Sequence, residues 1–470
     1  MGTVIASFIF FLIIFVIIGV SSSMKSKKNN SDYLMAGNSI SPWLAALSAV
    51  ATNNSGYMFI GLIGFTYTSG LQSIWLMIGW ILGDLAMAKY VHKKLRGKSG
   101  KLNILSFGGI LARWNGTEYN NLRKIVGVIT VLFLGIYAAA QFKAGSKALY
   151  VLFGWDYSVG AIIGAIIVFA YCLSGGIRAS IWTDAAQSFV MIFAMIMLFV
   201  VGVNSVGGLS EAYTKLDAVS PTFLSVMPTG LALDNGFGVF LFILGWFFAG
   251  FGVIGQPHIM VRFMSIDDTE NMKKTQTYYY SFYIIFTILT YGVGLLSRII
   301  LPESASFDAE LALPSLSQML LPDILIGVVL SGLFAATMST ADSQVLSCSA
   351  AITRDILPKN ENVYFTKIAT AVVTLIALAV ALFGGKNVFE LVVLSWSVLA
   401  ASFGPLLFVY TLNKKVSETT GIIMILGGLA TVFIWRAMGL SGTFYDVGPG
   451  IIAGLLLFVI LSKTSLNKNI

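Results

Sequence analysis

The chain has 470 residues, of which 57% are hydrophobic and 11% are charged, and its mean hydropathy is +0.85. A soluble domain carries about 25% charged residues, so this composition excludes a soluble enzyme, a disordered tail and a disulfide scaffold. The formal net charge is +8, but the basic residues lie in short clusters between apolar runs. They form no continuous stripe, and this argues against a nucleic acid partner.

A helix that crosses a bilayer needs about 20 mostly apolar residues. Thirteen runs of this kind follow one another: 2–20, 41–66, 72–92, 124–152, 157–175, 182–208, 236–257, 275–300, 322–350, 363–385, 388–412, 417–437 and 446–462. A transmembrane β-barrel would show shorter segments of alternating polarity, whereas these runs are continuous. They predict an all-α polytopic membrane protein with about thirteen transmembrane helices.

Residues 1–22 are predicted to form the first transmembrane helix, with the N-terminus outside. The basic cluster Lys25, Lys27 and Lys28 follows this run instead of preceding it, which is the reverse of a secretory signal. With thirteen spans, 23 of the 29 Lys and Arg residues fall on the inner side, as the positive-inside rule requires. We therefore expect a multi-pass inner-membrane protein with a cytoplasmic C-terminus. The six outer basic residues are Lys143, Lys147, Lys215, Arg298, Lys386 and Arg436.

Two of the apolar runs contain poor helix formers. The second carries the polar segment 51–56, and the seventh carries three glycines and a proline in 250–257. Non-helical backbone survives in hydrocarbon only where it lines a cavity, so both helices are predicted to be interrupted. Their separation by five spans predicts two inverted five-helix repeats, residues 41–208 and 236–412, with two additional C-terminal helices in 417–463. The alternative is that the glycines only permit close helix packing.

The ninth run carries adjacent hydroxyl side chains, Ser339 and Thr340. An unwound second span facing them would offer the backbone carbonyl oxygens of Ala51 and Asn54, and Ala336 would add a third carbonyl. Five uncharged oxygens suit a monovalent cation such as Na⁺ that must also be released. The alternative is that the hydroxyls bond only to carbonyls of their own helix.

Four acidic residues lie in or near the spans: Asp84, Asp184, Asp342 and Glu390. Intramembrane carboxylates are functional by default, and Asp184 is predicted to be a second sodium site or a coupling residue. Its alternative role is a helix N-cap. The two histidines and two cysteines are not spaced as metal ligands. We therefore expect Na⁺ to be the only bound metal ion, with no transition metal. We also expect no catalytic residues.

Four motifs in the expected order resemble the solute:sodium symporter family, and most closely its bacterial sodium/proline branch. They are NNSGYMFIGLIG (53–64), SGGIRASIWTDAAQSFVM (174–191), GQPHIMVRFM (255–264) and AATMSTADSQVLSCSAAITRD (335–355). The resemblance implies a leucine-transporter-type fold with flanking helices and sodium-coupled symport of a small organic solute by alternating access. It also implies the sodium site described above, and it matches Asp184 to a family aspartate tied to sodium coupling.

The resemblance suggests proline or another amino acid as the solute. Tyr137 matches a tyrosine in the substrate region of the proline branch. However, Asn53 stands where that branch has an aspartate, and Ala249 and Val253 stand where it has Trp and Tyr. A sodium symporter for a sugar, sialic acid or carboxylate therefore remains an alternative, followed by a proton-coupled carrier or a channel. The candidate substrate-binding residues are Asn53, Ser55, Met58, Gln72, Ser73, Tyr137, Gln141 and Trp246.

The expected partners of the chain are the lipid bilayer, Na⁺ and the small solute. We expect a monomer. A channel would need a continuous polar stripe along several spans, and the polar residues occur instead as isolated breaks.

Overall fold

The computed structural model describes residues 2–301, 307–358, 362–384 and 388–467. Lys359, Lys386 and Lys468, which entered the orientation tally, lie outside the described residues, as do short parts of the predicted second repeat. The described chain is helical, and its extended pairing is limited to one isolated bridge between Ile40 and Ile266. The predicted all-α class is confirmed.

The first half of the chain runs from the N-terminus to the loop after residue 217. Its helices are α1 (Gly2–Ser22), α2 (Asn30–Met35), α3 (Pro42–Gly56), α4 (Ile63–Ser69), α5 (Ile74–Lys101), α6 (Phe107–Arg113), α7 (Asn120–Phe153), α8 (Tyr157–Ser205) and α9 (Leu209–Asp217).

The second half of the chain is also helical. Its helices are α10 (Gly236–Phe251), α11 (Pro257–Met264), α12 (Met272–Ile300), α13 (Ala312–Leu320), α14 (Asp323–Ala350), α15 (Val363–Phe383), α16 (Val388–Thr411), α17 (Glu418–Ala437) and α18 (Val447–Leu461).

Ten described segments are long and apolar enough to cross a membrane, and α18 is a shorter apolar helix. Two of them, Pro42–Lys101 with 60 residues and Tyr157–Ser205 with 49 residues, far exceed the roughly 20 residues that one crossing needs. Left-handed glycines interrupt both segments, Gly70 at φ 68° and Gly176 at φ 57°. A multi-pass membrane protein is thereby confirmed, while the count of thirteen spans stays a prediction.

Both predicted helix interruptions are present. In α3 the backbone leaves the helical region at Ser55, with φ 48° and ψ −176°, and a π-helical turn at Tyr57–Leu62 leads into α4. In the second case a 3₁₀ turn follows α10, and Gln256 is extended at φ −97° and ψ 102° before Pro257 opens α11. Proline suits that position because its missing N–H would have no helical partner there.

The helix α14 lies at the centre of the bundle. Every residue from Ile326 to Ala350 is buried, although the helix carries many hydroxyl groups. It packs against α1, α3, α7, α8 and α15, so no face of this segment is left to lipid. The polar residues of α14 are therefore held against other helices, where each needs a hydrogen-bond partner.

The helices α5 and α10 approach each other through glycines. A Cβ added at Gly250 would lie 1.8 Å from the carbonyl oxygen of Trp80, and one added at Gly83 would lie 2.0 Å from that of Phe247. No side chain fits in this space. The contact holds the helix before the second interruption rigidly against α5, as small residues do between membrane helices.

This packing predicts a stability difference between two glycine-to-alanine variants. Gly250→Ala should destabilise the protein by about 1–3 kcal/mol because the backbones of α5 and α10 must separate. Gly135→Ala on α7 is the control, since nothing lies within 4 Å of its added Cβ and alanine favours a helix by up to about 1 kcal/mol. Thermal unfolding of the purified protein measures the difference, and equal midpoints would contradict the close contact.

Candidate ion and solute site

The hydroxyls of α14 meet the backbone of α3 just before its break. The Ser339 hydroxyl donates to the carbonyl of Ala51 at 3.3 Å or of Ala336 at 3.1 Å. The Thr340 hydroxyl donates to the carbonyl of Thr52 at 3.0 Å or of Ala336 at 3.1 Å. All of these residues are fully buried. The structure therefore brings Ala51, Ala336, Ser339 and Thr340 into one uncharged cluster of oxygens.

Asn54, the fifth predicted ligand, lies at the break itself. Its carbonyl accepts a hydrogen bond from the Tyr57 N–H, and its buried side-chain amide has no hydrogen-bond partner in the described part of the chain. Thr52, which the sequence did not single out, is closer to α14, with its hydroxyl 2.9 Å from the Ser343 hydroxyl. A hydroxyl side chain next to the polar break was the sequence signal that could have identified Thr52.

The segment after the break is held by side chains of α7. The Gly56 N–H donates to Gln141 Oε1 at 2.8 Å, and the Tyr57 N–H donates to the Ser55 hydroxyl at 3.0 Å. The Tyr137 hydroxyl lies 3.5 Å from the same Ser55 oxygen. Gln141 thereby satisfies the Gly56 N–H at the interruption, where backbone N–H groups lose their helical partners. Ser55, Tyr137 and Gln141, three of the candidate solute-binding residues, are thus neighbours.

Three of the other candidates for solute binding lie on α3, on the π-helical turn and on α10. Asn53 donates to the Tyr279 hydroxyl at 2.7 Å, and Met58 is buried in the π-helical turn. Trp246 joins an aromatic cluster in which its ring centroid lies 6.1 Å from that of Trp80 and 4.8 Å from that of Tyr445.

Gln72 and Ser73 hold the turn between α4 and α5. Gln72 Oε1 accepts from the Thr229 N–H at 2.7 Å, and its amide donates to the Ser69 carbonyl at 2.9 Å. The Ser73 hydroxyl donates to the Gly70 carbonyl at 2.7 Å. Their polar groups are therefore engaged in fixing the turn and the loop that follows α9.

Asp184 is not a helix N-cap, because it lies inside α8, eight residues beyond the kink at Gly176. Its Oδ2 accepts from the Ser48 hydroxyl of α3 at 2.6 Å and lies 3.6 Å from Arg262 Nη2. The same guanidinium nitrogen lies 3.7 Å from Asp342 Oδ1. The sequence did not identify Arg262, although a basic residue in an apolar segment after Pro257 was a usable signal.

This buried cluster joins four helices and contains two carboxylates but one guanidinium. Ser180 donates to Asp342 Oδ1 at 2.8 Å and accepts from Arg262 at 2.6 Å. One guanidinium therefore serves two carboxylates, and Asp184 Oδ1 and Asp342 Oδ2 have no hydrogen-bond partner among the described residues. Arg262 links α11 to α3, α8 and α14, so the cluster connects both interrupted helices.

The fold and these sites are those of a known transporter family. A family model described as the sodium:solute symporter family matches residues 33–428. The chain belongs to the sodium:solute symporter family. It is 30% identical to the high-affinity proline transporter PutP of Bacillus subtilis, with 92% of each chain covered. It is also 30% identical to the sodium/proline symporter of Escherichia coli, over 93% of this chain and 88% of that one.

Two solved structures share the fold. A Na⁺-coupled sialic acid symporter in its substrate-bound outward-open state superposes with a TM-score of 0.84 at 20% identity, covering 98% and 97% of the two chains. Mhp1, a nucleobase-cation-symport-1 family transporter, gives 0.61 at 15% identity, covering 94% and 97%. The leucine-transporter-type fold is therefore confirmed. The protein is a sodium-coupled secondary transporter of the inner membrane and not an enzyme.

The arginine cluster predicts a large loss of stability in one variant. Arg262→Met should destabilise the protein by about 3–5 kcal/mol because it leaves two buried carboxylates without a counter-charge. Lys93→Met is the control, since its ion pair with Glu270 is exposed and such pairs contribute about 1 kcal/mol or less. Thermal unfolding in detergent measures both variants. Similar midpoints would show that Arg262 does not neutralise the two carboxylates.

Proposed function

We propose that the protein transports proline together with Na⁺. The observation that carries this proposal is the identity of 30% with proline transporters from two organisms over nearly the full chain. The geometry is compatible with a small solute, because Ser55, Tyr137 and Gln141 surround the break in α3. Asn53, Met58 and Trp246 are proposed to complete the pocket, with Gln72 and Ser73 in the turn beyond it.

We propose that Na⁺ binds between α3 and α14. Ser339 and Thr340 now donate to carbonyls, but their hydroxyls can rotate and present lone pairs to a cation. The carbonyls of Ala51 and Ala336 already lie at hydrogen-bond distance from these hydroxyls. Asn54 would supply the fifth oxygen once its carbonyl turns away from the Tyr57 N–H.

Binding of Na⁺ at this position would order the interrupted helix and the solute pocket together. The ion contacts residues before Ser55, while the solute contacts Ser55 and residues on both sides of it, so the two ligands share one segment of backbone. By thermodynamic reciprocity, a solute that tightens Na⁺ binding is itself bound more tightly in the presence of Na⁺. That coupling is the requirement for symport.

The sodium gradient supplies enough free energy for accumulation. One charge moved through 100 mV is worth about 2.3 kcal/mol, and a tenfold concentration gradient adds about 1.4 kcal/mol. The sum of about 3.7 kcal/mol corresponds to roughly 500-fold accumulation of a neutral solute per Na⁺ at full coupling.

We further propose that Asp184 takes part in a second sodium site or in coupling. Its Oδ1 is buried without a partner among the described residues, and its cluster holds more negative than positive charge. Ser48, its hydrogen-bond donor, lies on α3 close to the proposed sodium ligands. An ion bound there would act on the same helix.

The organisation of the chain in the membrane completes the proposal. Residues 41–208 and 236–412 form the two inverted repeats, and each contains an interrupted helix near its beginning. Residues 1–22 and 417–463 form the flanking helices. The N-terminus lies outside, the C-terminus is cytoplasmic, and the transporter works as a monomer.

Removing the two hydroxyls of the sodium site should abolish sodium coupling. In Ser339→Ala/Thr340→Ala, sodium-stimulated uptake into proteoliposomes should fall at least about tenfold, because each lost ligand costs on the order of 1 kcal/mol. Ser331→Ala is the matched control, because this buried α14 hydroxyl donates only to its own helix at the Gly327 carbonyl. Unchanged sodium dependence in the double variant would place the ion elsewhere.

The solute can be identified by ligand-induced stabilisation. With Na⁺ present, proline should raise the unfolding midpoint, and without Na⁺ its effect should be several-fold weaker, since ligands stabilise the state that binds them. Sialic acid, sugars and small carboxylates serve as alternatives, because Asn53, Ala249 and Val253 depart from the proline branch. If one of these compounds shifts the unfolding midpoint in a Na⁺-dependent way and proline does not, that compound and not proline is the solute.

A further inference from the structure

The buried carboxylates of this protein follow one pattern. In the described residues six aspartates are buried, and five of them lie within 4.0 Å of an arginine nitrogen. These pairs are Asp32 with Arg178, Asp184 and Asp342 with Arg262, Asp355 with Arg123, and Asp446 with Arg436. The pattern is physically required, because an ionised carboxylate in a dry interior needs a compensating charge.

Asp84 is the exception within the described chain. It is fully buried on α5 and has no cationic group within ion-pair distance there. Its Oδ2 accepts one hydrogen bond, from the Tyr279 hydroxyl at 3.0 Å, and its Oδ1 has no hydrogen-bond partner. The position is enclosed on one side by the glycine contact between α5 and α10, which brings Gly250 against the backbone of Asp84.

The surroundings of Asp84 contain no fixed charge that could replace an arginine. The ionisable side chains that face it are phenols of α12, Tyr279, Tyr280 and Tyr283. Ionisable groups on the neighbouring elements have other partners. On α5 the His92 ring stacks on Phe263, and on α11 the His258 ring meets that of Tyr137. Arg262 on α11 lies in the Asp184 cluster, and Tyr410 on α16 stacks on Trp114. The helix α10 carries no ionisable residue.

We propose that Asp84 is a proton-binding site whose proton is released when Na⁺ binds to the interrupted helix α3. With no fixed counter-charge, the carboxylate is balanced by a mobile cation. A hard metal ion takes about six oxygen ligands, and the polar side chains that the structure shows beside Asp84 are the phenols of α12. A proton needs no further ligand, because it forms an O–H bond to the carboxylate itself.

The connection to the sodium site runs through two hydrogen bonds. Asn53 donates to the Tyr279 hydroxyl at 2.7 Å, and Tyr279 donates onward to Asp84. Asn53 lies between Ala51 and Asn54, two of the proposed sodium ligands, and two residues before the break at Ser55. A cation bound beside Asn53 favours the ionised form of a nearby carboxylate. Na⁺ binding therefore expels the proton from Asp84 to solvent, and the carboxylate is left as the counter-charge of the ion.

This arrangement also gives Asn53 a role. The carboxylate stands on α5 and reaches α3 through Tyr279 and Asn53. The inference rests on the sodium coupling of the family and on the proposed sodium site, but not on the identity of the solute.

The experiment measures Na⁺ binding without any solute. Purified protein in weakly buffered detergent solution is titrated with NaCl in the presence of a pH-indicator dye, with choline chloride as the ionic-strength control. Wild-type protein should release up to one proton per bound Na⁺. By reciprocity its apparent Na⁺ affinity should tighten on the order of tenfold as the pH rises from about 6 to about 8. In Asp84→Asn no proton should be released from this site, and the Na⁺ affinity should be independent of pH.

Asp446→Asn is the matched control, because Asp446 is also buried but is paired with Arg436 on the peripheral helices. Its proton release per bound Na⁺ and the pH dependence of its Na⁺ affinity should equal those of the wild type. Should Asp84→Asn fail to fold, Tyr279→Phe interrupts the hydrogen-bond connection while keeping the carboxylate, and proton release per bound Na⁺ should fall.

Three results would overturn the proposal. They are a wild-type protein that releases no proton, an Asp84→Asn variant that keeps the wild-type pH dependence, and a folded Asp84→Asn variant that binds no Na⁺ at any pH. The last result would show that the carboxylate binds a metal ion directly. Failure of the sodium-site proposal is seen separately, because Ser339→Ala/Thr340→Ala would then bind Na⁺ and release protons normally.

Discussion

The structure depends on one contact, in which the hydroxyls of α14 face the carbonyls of α3 immediately before its break. A broken helix in a membrane leaves backbone groups that lipid cannot satisfy. Here α14 supplies partners before the break, and Gln141 of α7 supplies one after it. The break is therefore stable in the membrane only because a fully buried, hydroxyl-rich helix lies against it. The same oxygens that stabilise the interruption are suited to a monovalent cation.

The bundle contains contacts that are rigid and others in which a group can change its hydrogen-bond partner. Glycines bring α5 and α10 to backbone contact, and arginine nitrogens within 4.0 Å neutralise five of the six buried aspartates in the described residues. These interactions hold their helices in place. The hydroxyls of Ser339 and Thr340, by contrast, each have two carbonyls within reach. Groups with several nearly equivalent partners can change partners at low cost, which a transporter needs at the site where its ion enters and leaves.

Part of this architecture follows from local sequence signals. Asn, Ser and Gly within an apolar run predicted the break that the structure shows at Ser55, and three glycines with a proline predicted the break before Pro257. The adjacent hydroxyls of α14 predicted which surface would face it. Arg262 and Tyr279 were not anticipated, because their roles depend on acidic residues at least 78 positions away in the chain. The helix-cap alternative for Asp184 was wrong because the kink falls at Gly176, and helical residues continue from there past Asp184.

Composition and the order of apolar runs determined the fold class, the membrane location and the two interruptions, because each is a property of about 20 consecutive residues in a fixed solvent. The resemblance of four short motifs determined the transporter family. Only the tertiary structure decided which buried charges are neutralised, since charge balance is a property of helices that are far apart in sequence. It paired five aspartates with arginines and left Asp84 facing phenols. No periodicity along α5 could distinguish that carboxylate from the others, because the difference lies in what α12 and α3 place beside it.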